Sequence, residues 1–139
     1  MAVIILQPAS GADARRHYED TIENSVPLSR IEPFLRPGLM ASIRARFPGG
    51  VRVWGVTPPN EGKWTRVQRG DIALFARDGR YISYGAVFDT THDRALAAAL
   101  WGTDEAGQTW EYVYFVGAVT ATDISPHFPD QRRECVVIW

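Results

Sequence analysis

The sequence predicts an α+β fold, a small mixed β-barrel with flanking helices. Three observations predict it. Helical patterns are concentrated near the start of the chain, strand patterns fill most of the second half, and the turn Asp78-Gly79 joins two of those strands into a hairpin. With 139 residues, 45% of them hydrophobic, the chain has the size and composition of one domain with its own core. We therefore treat residues 1–139 as a single domain.

Six segments carry strand patterns. In the segment Val51–Val56, side chains alternate between two faces. Trp54 shares one face with Arg52, and Gly55 shares the other with Val51 and Val53. Asp78-Gly79 is the strongest hairpin signal, because these residue types accept the positive φ of a tight turn. The predicted strands are Ala2–Gln7, Val51–Val56, Asp71–Arg77, Arg80–Thr90, Thr109–Val119 and Glu134–Trp139.

Four segments are predicted to contain helix. Pro37–Phe47 begins with proline and has an apolar residue at every fourth position. Ser29-Arg30-Ile31-Glu32 has the spacing of a capping box, although Pro33 limits the helix after it to about one turn. Thr91 is placed to cap an alanine-rich segment. The predicted helices are Ala12–Glu23, one turn after Ser29, Pro37–Phe47, and Thr91–Leu100.

Charge is distributed unevenly along the chain, although the net charge is only −1. Residues 1–35 carry a net charge of −2, residues 36–69 carry +6 and residues 70–139 carry −5. A positive block of this size is typical of a surface that binds a polyanion, and it is also compatible with an ordinary solvated surface.

Compartment and membrane signals are sparse. Cys135 is the sole cysteine, so no disulfide can form within the chain, and a reducing cytoplasm is expected. The longest apolar runs, Ala2–Leu6 and Val113–Val116, are too short to cross a membrane. The start of the chain lacks the basic region and apolar length of a signal peptide. We therefore expect a soluble cytoplasmic domain with no membrane partner.

Catalytic patterns are scarce. The three histidines, His17, His92 and His127, have no metal-ligand spacing among themselves or with Cys135. Phosphate-binding glycine motifs, the dinucleotide fingerprint and the serine nucleophile motif are all missing from the sequence. We predict no catalytic residue, no metal and no cofactor for this domain.

Five tryptophans are a high number for a chain of this length. Trp54, Trp64 and Trp101 stand where the strand and helix patterns do not require a core residue, and Trp64 lies close to lysine and arginine. Aromatic rings beside cations can stack on a nucleobase and hold its phosphates, and the alternative is ordinary core packing. Trp110 and Trp139 lie inside alternating strands and are expected in the core.

The order of several motifs along residues 3–118 resembles the EVE domain of the PUA-like superfamily, a relative of the YTH, ASCH and SRA-like readers of modified bases. It is most similar to the N-terminal module of modification-dependent HNH restriction endonucleases. The motifs are R-R-H-Y-E-D-T-I (Arg15–Ile22), V-W-G-V (Val53–Val56), R-G-D-I-A-L-F (Arg69–Phe75), Y-I-S-Y-G-A-V (Tyr81–Val87), L-W-G-T-D (Leu100–Asp104) and W-E-Y-V-Y-F (Trp110–Phe115).

The resemblance implies a PUA-like, EVE- or YTH-type barrel in which one base is flipped into an aromatic cage. Trp54 and Trp101 match the cage tryptophans, and Gly55 matches the residue that contacts the base edge through its main chain. Gln7 and Ser10, at the end of the first strand, match the position of further polar contacts. YTH readers carry asparagine in that turn and this chain does not, so the resemblance does not extend to adenine specificity.

The function implied is binding of double-stranded DNA that contains a modified base, expected to be 5-methyl- or 5-hydroxymethylcytosine. The domain itself is not expected to be an enzyme; it would be the recognition module of a modification-dependent restriction endonuclease, with a fused HNH nuclease domain as its partner. The positive block would hold the DNA backbone. The residues expected to do so are Arg44, Arg52, Lys63, Arg66 and Arg69.

Two alternatives remain open. The first is an RNA-binding module, because PUA and ASCH relatives bind RNA. The second is a small nucleotide-acting enzyme that uses Asp71 or His92. Preference between deoxy- and ribo-oligonucleotides separates the DNA and RNA readings, and turnover of free nucleotides would support the enzyme.

Overall fold

The computed structural model describes residues 3–124 and 135–136, which form one mixed sheet with helices packed on it. The described strands lie in the order β2-β5-β4-β3-β1-β6. All neighbouring pairs are antiparallel except those of β1, which is parallel to both β3 and β6. The strands are β1 (Ile4–Pro8), β2 (Arg52–Val56), β3 (Ile72–Arg77), β4 (Arg80–His92), β5 (Tyr112–Ile124) and β6 (Cys135–Val136).

Five α-helices accompany the sheet in the described residues. The first continues directly into a π-helical turn, Glu19–Glu23, and the second into a 3-10 turn, Glu32–Phe34. A further 3-10 turn, Pro58–Asn60, precedes the fourth. The helices are α1 (Ala12–Tyr18), α2 (Leu28–Ile31), α3 (Pro37–Arg46), α4 (Glu61–Trp64) and α5 (Arg94–Trp101). Within the described ranges, every helix is too short or too polar to span a membrane.

Strands β4 and β5 have 13 residues each and pair with each other next to the edge strand β2. Their pairing register shifts at three places, between Tyr81 and Ser83, Gly85 and Val87, and Val87 and Asp89. Such irregularities bend a strand and increase its twist, so the sheet curls into a half-barrel. The Asp78-Gly79 hairpin is confirmed: φ is +52° at Asp78 and +75° at Gly79, as a tight β3–β4 turn requires.

The curled sheet is buried on both faces. Strand β2 shows this most clearly, because Trp54 and Val56 belong to one hydrophobic cluster and Val51 and Val53 to another. The first cluster lies under α1 and includes Phe75, while the second lies under α3 and α5. The predicted alternation of β2 is therefore correct, but both of its faces are packed, including the one that carries Trp54.

Three local predictions need correction or fall outside the described residues. Asp93, and not Thr91, caps α5, since its carboxylate accepts a hydrogen bond from the Leu96 N–H at 2.8 Å and Thr91 is still in β4. The capping box at Ser29 does not form, because α2 already begins at Leu28. Of the predicted last strand only Cys135–Val136 is described, so Trp139 lies outside the described residues.

Candidate functional site

A cavity of about 170 Å³ opens at the end of β2. Three segments meet there: the end of β1, the middle of α1 and the turn that follows β2. Thr21 fixes this arrangement, because its hydroxyl donates a 2.6 Å hydrogen bond to the Val53 carbonyl and so holds α1 and its π-helical turn against the outer edge of β2. The lining residues are Gln7, Pro8, Ala14, His17, Trp54, Gly55, Val56, Thr57, Asn60 and Trp110.

Gly55 is the closest-packed residue of the site. A Cβ placed there would overlap the carbonyl oxygen of Trp110 and would lie 2.7 Å from Cζ3 of Trp101. The overlap with the Trp110 carbonyl could be relieved only by moving the main chain, which is costly in a packed core. Glycine at position 55 is therefore required for the approach of both tryptophans.

Trp54 lines the cavity and is also part of the core. Its side chain is only 4% exposed, and its ring meets Phe75 edge-on, with ring centres 5.4 Å apart. The expectation that Trp54 stands apart from the core is wrong, because the face of β2 that carries it is covered by α1 and by Phe75. Its indole Nε1 is buried and has no hydrogen-bond partner.

Trp101 ends α5 and contacts the site from the other face of β2. It is half-buried, it packs on the second hydrophobic cluster, and its ring lies against the position of the missing Gly55 Cβ. Its ring centre lies 5.5 Å from that of His17. Trp101 does not line the cavity itself, and its Nε1, like that of Trp54, is buried without a partner.

His17 is a residue of the site that the sequence analysis did not select. It is 3% exposed, and its ring meets Trp110 edge-on at 4.3 Å. Burial lowers the pKa of His17 from 6.5 to about 4, so the imidazole is neutral near pH 7, and its Nε2 has no partner.

The signal for His17 was present in the sequence. Ala14, His17, Tyr18, Thr21 and Ile22 follow the spacing of a single helix face, and all five are buried or half-buried. Trp110 was missed for a different reason: β5 begins at Tyr112, so the strand alternation that assigned Trp110 to the core does not reach it. It is half-buried and lines the cavity.

The two polar residues predicted at the end of the first strand have different surroundings. Gln7 is buried and lines the cavity; its Oε1 accepts a 2.9 Å hydrogen bond from the Tyr114 hydroxyl, and its Nε2 donates to the Pro8 carbonyl. Ser10 is exposed and does not line the cavity, and its hydroxyl accepts a hydrogen bond from the Asp78 N–H at 3.2 Å. Ser10 thus contacts the β3–β4 turn.

Three buried side-chain polar atoms lack a hydrogen-bond partner in the described part of the chain: His17 Nε2, Trp54 Nε1 and Trp101 Nε1. All three belong to residues that line the cavity or pack on Gly55 beside it. Buried polar groups in native proteins are nearly always satisfied, so a cluster of exceptions requires an explanation such as a bound ligand or water. Of the three residues, His17 and Trp54 line the cavity, so their ring nitrogens are the candidates to bond a group bound there.

The five cations predicted to hold a DNA backbone fall into two groups: those that are ion-paired or half-buried, and those that are exposed and without an ion pair to a described residue. Arg44 is ion-paired with Glu32 at 3.0 Å, and Arg69 with Asp89 at 3.2 Å. Arg52 is half-buried and is the first residue of β2, at the end away from the cavity.

Lys63 and Arg66 form the second group. Both are exposed and neither forms an ion pair with a described residue. They lie on and just after α4, which directly follows the cavity-lining residues Thr57 and Asn60. Among the exposed cations predicted to hold the backbone, these two lie nearest along the chain to a cavity-lining residue.

The two residues considered for an enzyme both have structural partners. The Asp71 carboxylate accepts hydrogen bonds from the N–H groups of Val3 and Gln68. His92 stacks on Tyr112 with ring centres 4.3 Å apart and bonds Glu111 at 2.9 Å. A group of three or more histidine, cysteine, aspartate or glutamate side chains suited to a metal does not occur within the described ranges.

Fold and site together define a small α+β domain with an aromatic-lined cavity at one end of an edge strand. Its structure is similar to that of the N-terminal domain of Thermococcus gammatolerans McrB bound to m5C DNA, with a TM-score of 0.62 and 15% sequence identity. The similarity covers 89% of this chain and 76% of that chain, and it confirms the predicted fold class. No protein-family profile and no curated protein matches the chain.

Proposed function

We propose that this domain binds DNA containing a modified base, and that the base is flipped out of the duplex into the cavity beside Gly55. The observation that carries the proposal is the cluster of unpartnered buried polar atoms around an aromatic cavity. The structurally similar McrB domain is bound to m5C DNA, which supports the same ligand class here. The motif order shared with EVE domains supports it independently.

The size of the cavity favours a single aromatic ring. An engineered cavity of about 150 Å³ accepts benzene, and this one measures about 170 Å³. A pyrimidine is the nucleobase of that size, and the m5C DNA bound by the similar McrB domain directs the proposal to a modified cytosine, either 5-methyl or 5-hydroxymethyl. One added methyl group discriminates by only about 1–3 kcal/mol, so strong selectivity would require a hydrogen bond as well.

The unpartnered atoms have the chemistry to supply such hydrogen bonds. The indole N–H of Trp54 donates only, whereas the neutral imidazole of His17 can donate or accept, depending on its tautomer. The main chain of Gly55 adds to this set. Val51 and Val53 direct their main-chain groups to the outer edge of β2, toward Val26 and Thr21 respectively, and the alternation of an antiparallel strand directs those of Gly55 the same way.

We assign roles on this basis. Trp54 forms a wall of the base pocket, Gly55 its floor, and Gln7 and His17 its polar lining. Trp101 holds the pocket from behind Gly55 and forms its second aromatic layer. Ser10 lies outside the pocket and contacts the β3–β4 turn. Unstacking a base costs a few kcal/mol, which stacking at about 1–3 kcal/mol per ring and the new hydrogen bonds would offset.

Cations outside the pocket would hold the phosphates and supply affinity that does not depend on the base. Lys63 and Arg66 are the first candidates, because they are unpaired and adjoin the turn that lines the pocket. Arg44, Arg52 and Arg69 are the others. We infer that the domain is the non-catalytic recognition module of a modification-dependent restriction endonuclease, in which a separate nuclease domain such as HNH would cut.

Binding to a panel of otherwise identical duplexes tests this function. The duplexes carry cytosine, 5-methylcytosine, 5-hydroxymethylcytosine, N4-methylcytosine or N6-methyladenine at one position, and 2-aminopurine beside it reports unstacking. We expect preferential binding to one modified cytosine together with a rise in 2-aminopurine fluorescence. The control is Tyr84→Ala, which removes an exposed aromatic ring outside the pocket. Equal affinity for all five duplexes, or tighter binding to the matching RNA, would contradict the proposal.

A further inference from the structure

A second and larger cavity, of about 400 Å³, lies at the opposite end of β2. Its polar lining consists of Arg52, Arg77, Tyr18, Ser83 and Glu23. We call it the arginine cleft. No residue lines both cavities, although Arg52 is only two residues from the cavity-lining Trp54 and Tyr18 directly follows His17.

Arg52 and Arg77 differ from the other cations of the described chain. They are half-buried, whereas every other described arginine and lysine is exposed. Neither forms an ion pair with a described carboxylate, although five of the exposed arginines do. Glu23 is the carboxylate that lines the cleft, and it forms no ion pair with either arginine. Two partly desolvated charges without a directly bonded carboxylate favour binding of an anion.

Both guanidinium groups are held in place by main-chain contacts. Nε of Arg52 donates to the Ile22 carbonyl at 2.7 Å, and Nε of Arg77 donates to the Ala9 carbonyl at 3.3 Å. Arg77 also lies over the ring of Tyr18, at 5.0 Å from its centre. Both hydrogen bonds use Nε of the arginine side chain. The outer nitrogens, which bind phosphate oxygens in pairs, have no hydrogen bond to the described residues.

Two neutral groups and one charged group complete the cleft. The hydroxyl groups of Tyr18 and Ser83 are hydrogen-bonded to each other at 2.5 Å, so one O–H of the pair remains available to donate. The Glu23 carboxylate is exposed, lines the same cleft and forms no ion pair with either arginine. Its negative charge repels an anion in the cleft and therefore weakens the binding of that anion.

We propose that the arginine cleft binds a phosphate group through Arg52 and Arg77, at a site separate from the base pocket. The phosphate belongs either to a DNA backbone or to a free nucleotide, since the same guanidinium chemistry recognises both. The proposal does not depend on base recognition, because no residue of the base pocket lines the cleft.

The test is an NMR titration of the whole chain with inorganic phosphate, followed by a nucleoside 5′-monophosphate and by an unmodified duplex without terminal phosphates. We expect the amide signals of Tyr18, Arg52, Arg77 and Ser83 to shift with inorganic phosphate. Competition by the duplex identifies the backbone as the source, and tighter binding of the monophosphate alone identifies a free nucleotide.

Substitutions of the arginines and of the glutamate should change the affinity for phosphate in opposite directions. Arg52→Gln and Arg77→Gln should weaken phosphate binding roughly tenfold or more, since each removes charge-assisted hydrogen bonds. Glu23→Gln should tighten it about three- to tenfold by removing a like charge. The matched control is Arg30→Gln, an exposed arginine outside the cleft and outside the positive block.

Three results would overturn the proposal: no localised shift, shifts spread over all exposed arginines, or a Glu23→Gln variant that binds phosphate no more tightly. Because Glu23 is exposed, this last variant is expected to fold even if Arg77→Gln does not. The base-pocket variant Trp54→Phe should leave the phosphate titration unchanged. Failure of the cleft and failure of the base pocket are therefore distinguishable.

Discussion

The base pocket and the arginine cleft lie at opposite ends of β2, and neighbouring residues of α1 line them: His17 lines the pocket and Tyr18 the cleft. The pocket contains neutral donors and aromatic rings. The cleft contains two half-buried positive charges. The two proposals together assign a division of roles, in which neutral, shape-dependent contacts distinguish one base from another while fixed charges bind phosphate whatever the base. Salt should therefore affect binding at the cleft far more than selectivity at the pocket.

The largest effect is expected from Gly55→Ala, which should destroy the pocket and leave the cleft. The new Cβ would collide with the Trp110 carbonyl and the Trp101 ring, and overpacking of this kind costs about 1–3 kcal/mol or more. Urea unfolding measures this loss, and the phosphate titration should be retained wherever the variant is folded. Gly62→Ala is the matched control, since its Cβ meets nothing within 4 Å. Equal stability of the two variants would contradict the packing described for Gly55.

The second effect is a loss of folding stability at acidic pH, which arises from His17 in the pocket. His17 has a pKa of about 4 when folded and 6.5 ordinarily, so the unfolded chain binds more protons between these values. The free energy of unfolding should therefore fall as the pH falls through that window, by about 2 kcal/mol between pH 7 and pH 5. Asp13 and Asp20 raise this pKa and Arg16 lowers it, but burial is the largest cause.

Urea unfolding of the wild type and of His17→Gln at both pH values measures the effect. The variant should lose most of the difference between pH 7 and pH 5. If both proteins lose the same stability, the histidine is not held neutral by burial. Phosphate binding at the cleft is expected to be unaffected by this substitution.

A smaller effect separates ligand recognition from folding within the tryptophans themselves. Trp54→Phe removes an N–H that has no partner, so it should reduce selectivity for the modified base by about 1 kcal/mol, and its loss of stability should come from the smaller buried ring alone. Trp64→Phe removes an N–H that donates to the Val113 carbonyl at 3.0 Å, so it should lower stability by a similar amount and leave selectivity unchanged. Paired melting and binding measurements check both, and the reverse pattern would place the recognition site elsewhere.

The smallest effect per residue is expected at the exposed cations near the pocket. Lys63→Gln and Arg66→Gln should weaken binding to modified and unmodified duplexes equally. Each should also reduce the slope of log affinity against log salt concentration by about 1. Fluorescence anisotropy over a range of salt concentrations provides the measurement. A change in base preference without a change in slope would show that these residues read the base rather than hold the backbone.

Much of the fold could be predicted because its signals are local. The alternation of β2, the Asp78-Gly79 turn and the proline at the start of α3 each depend on a few adjacent residues. The cap of α5 was misplaced by two residues, at Thr91 instead of Asp93, because both residue types can cap a helix and only the extent of β4 decides between them.

The site was predicted less completely. Trp54, Gly55 and Gln7 were selected and do line one cavity, but His17 and Trp110 were not, and Ser10 contacts a turn. Pairs such as Gln7 with Tyr114, or His17 with Trp101, are distant in sequence. No local pattern indicates that such residues meet.

The sequence by itself determined the strands and most of the helices, the hairpin, the uneven distribution of charge and the excess of tryptophan, since all of these follow from residue types and their spacing. Only the tertiary structure decided which polar groups are buried without partners and which arginines lack a carboxylate. Those properties depend on burial and on long-range neighbours. The pKa of His17 and the pairing of Arg52 with Arg77 in one cleft arise where α1 packs on the curled sheet, which brings together residues from several separate segments of the chain.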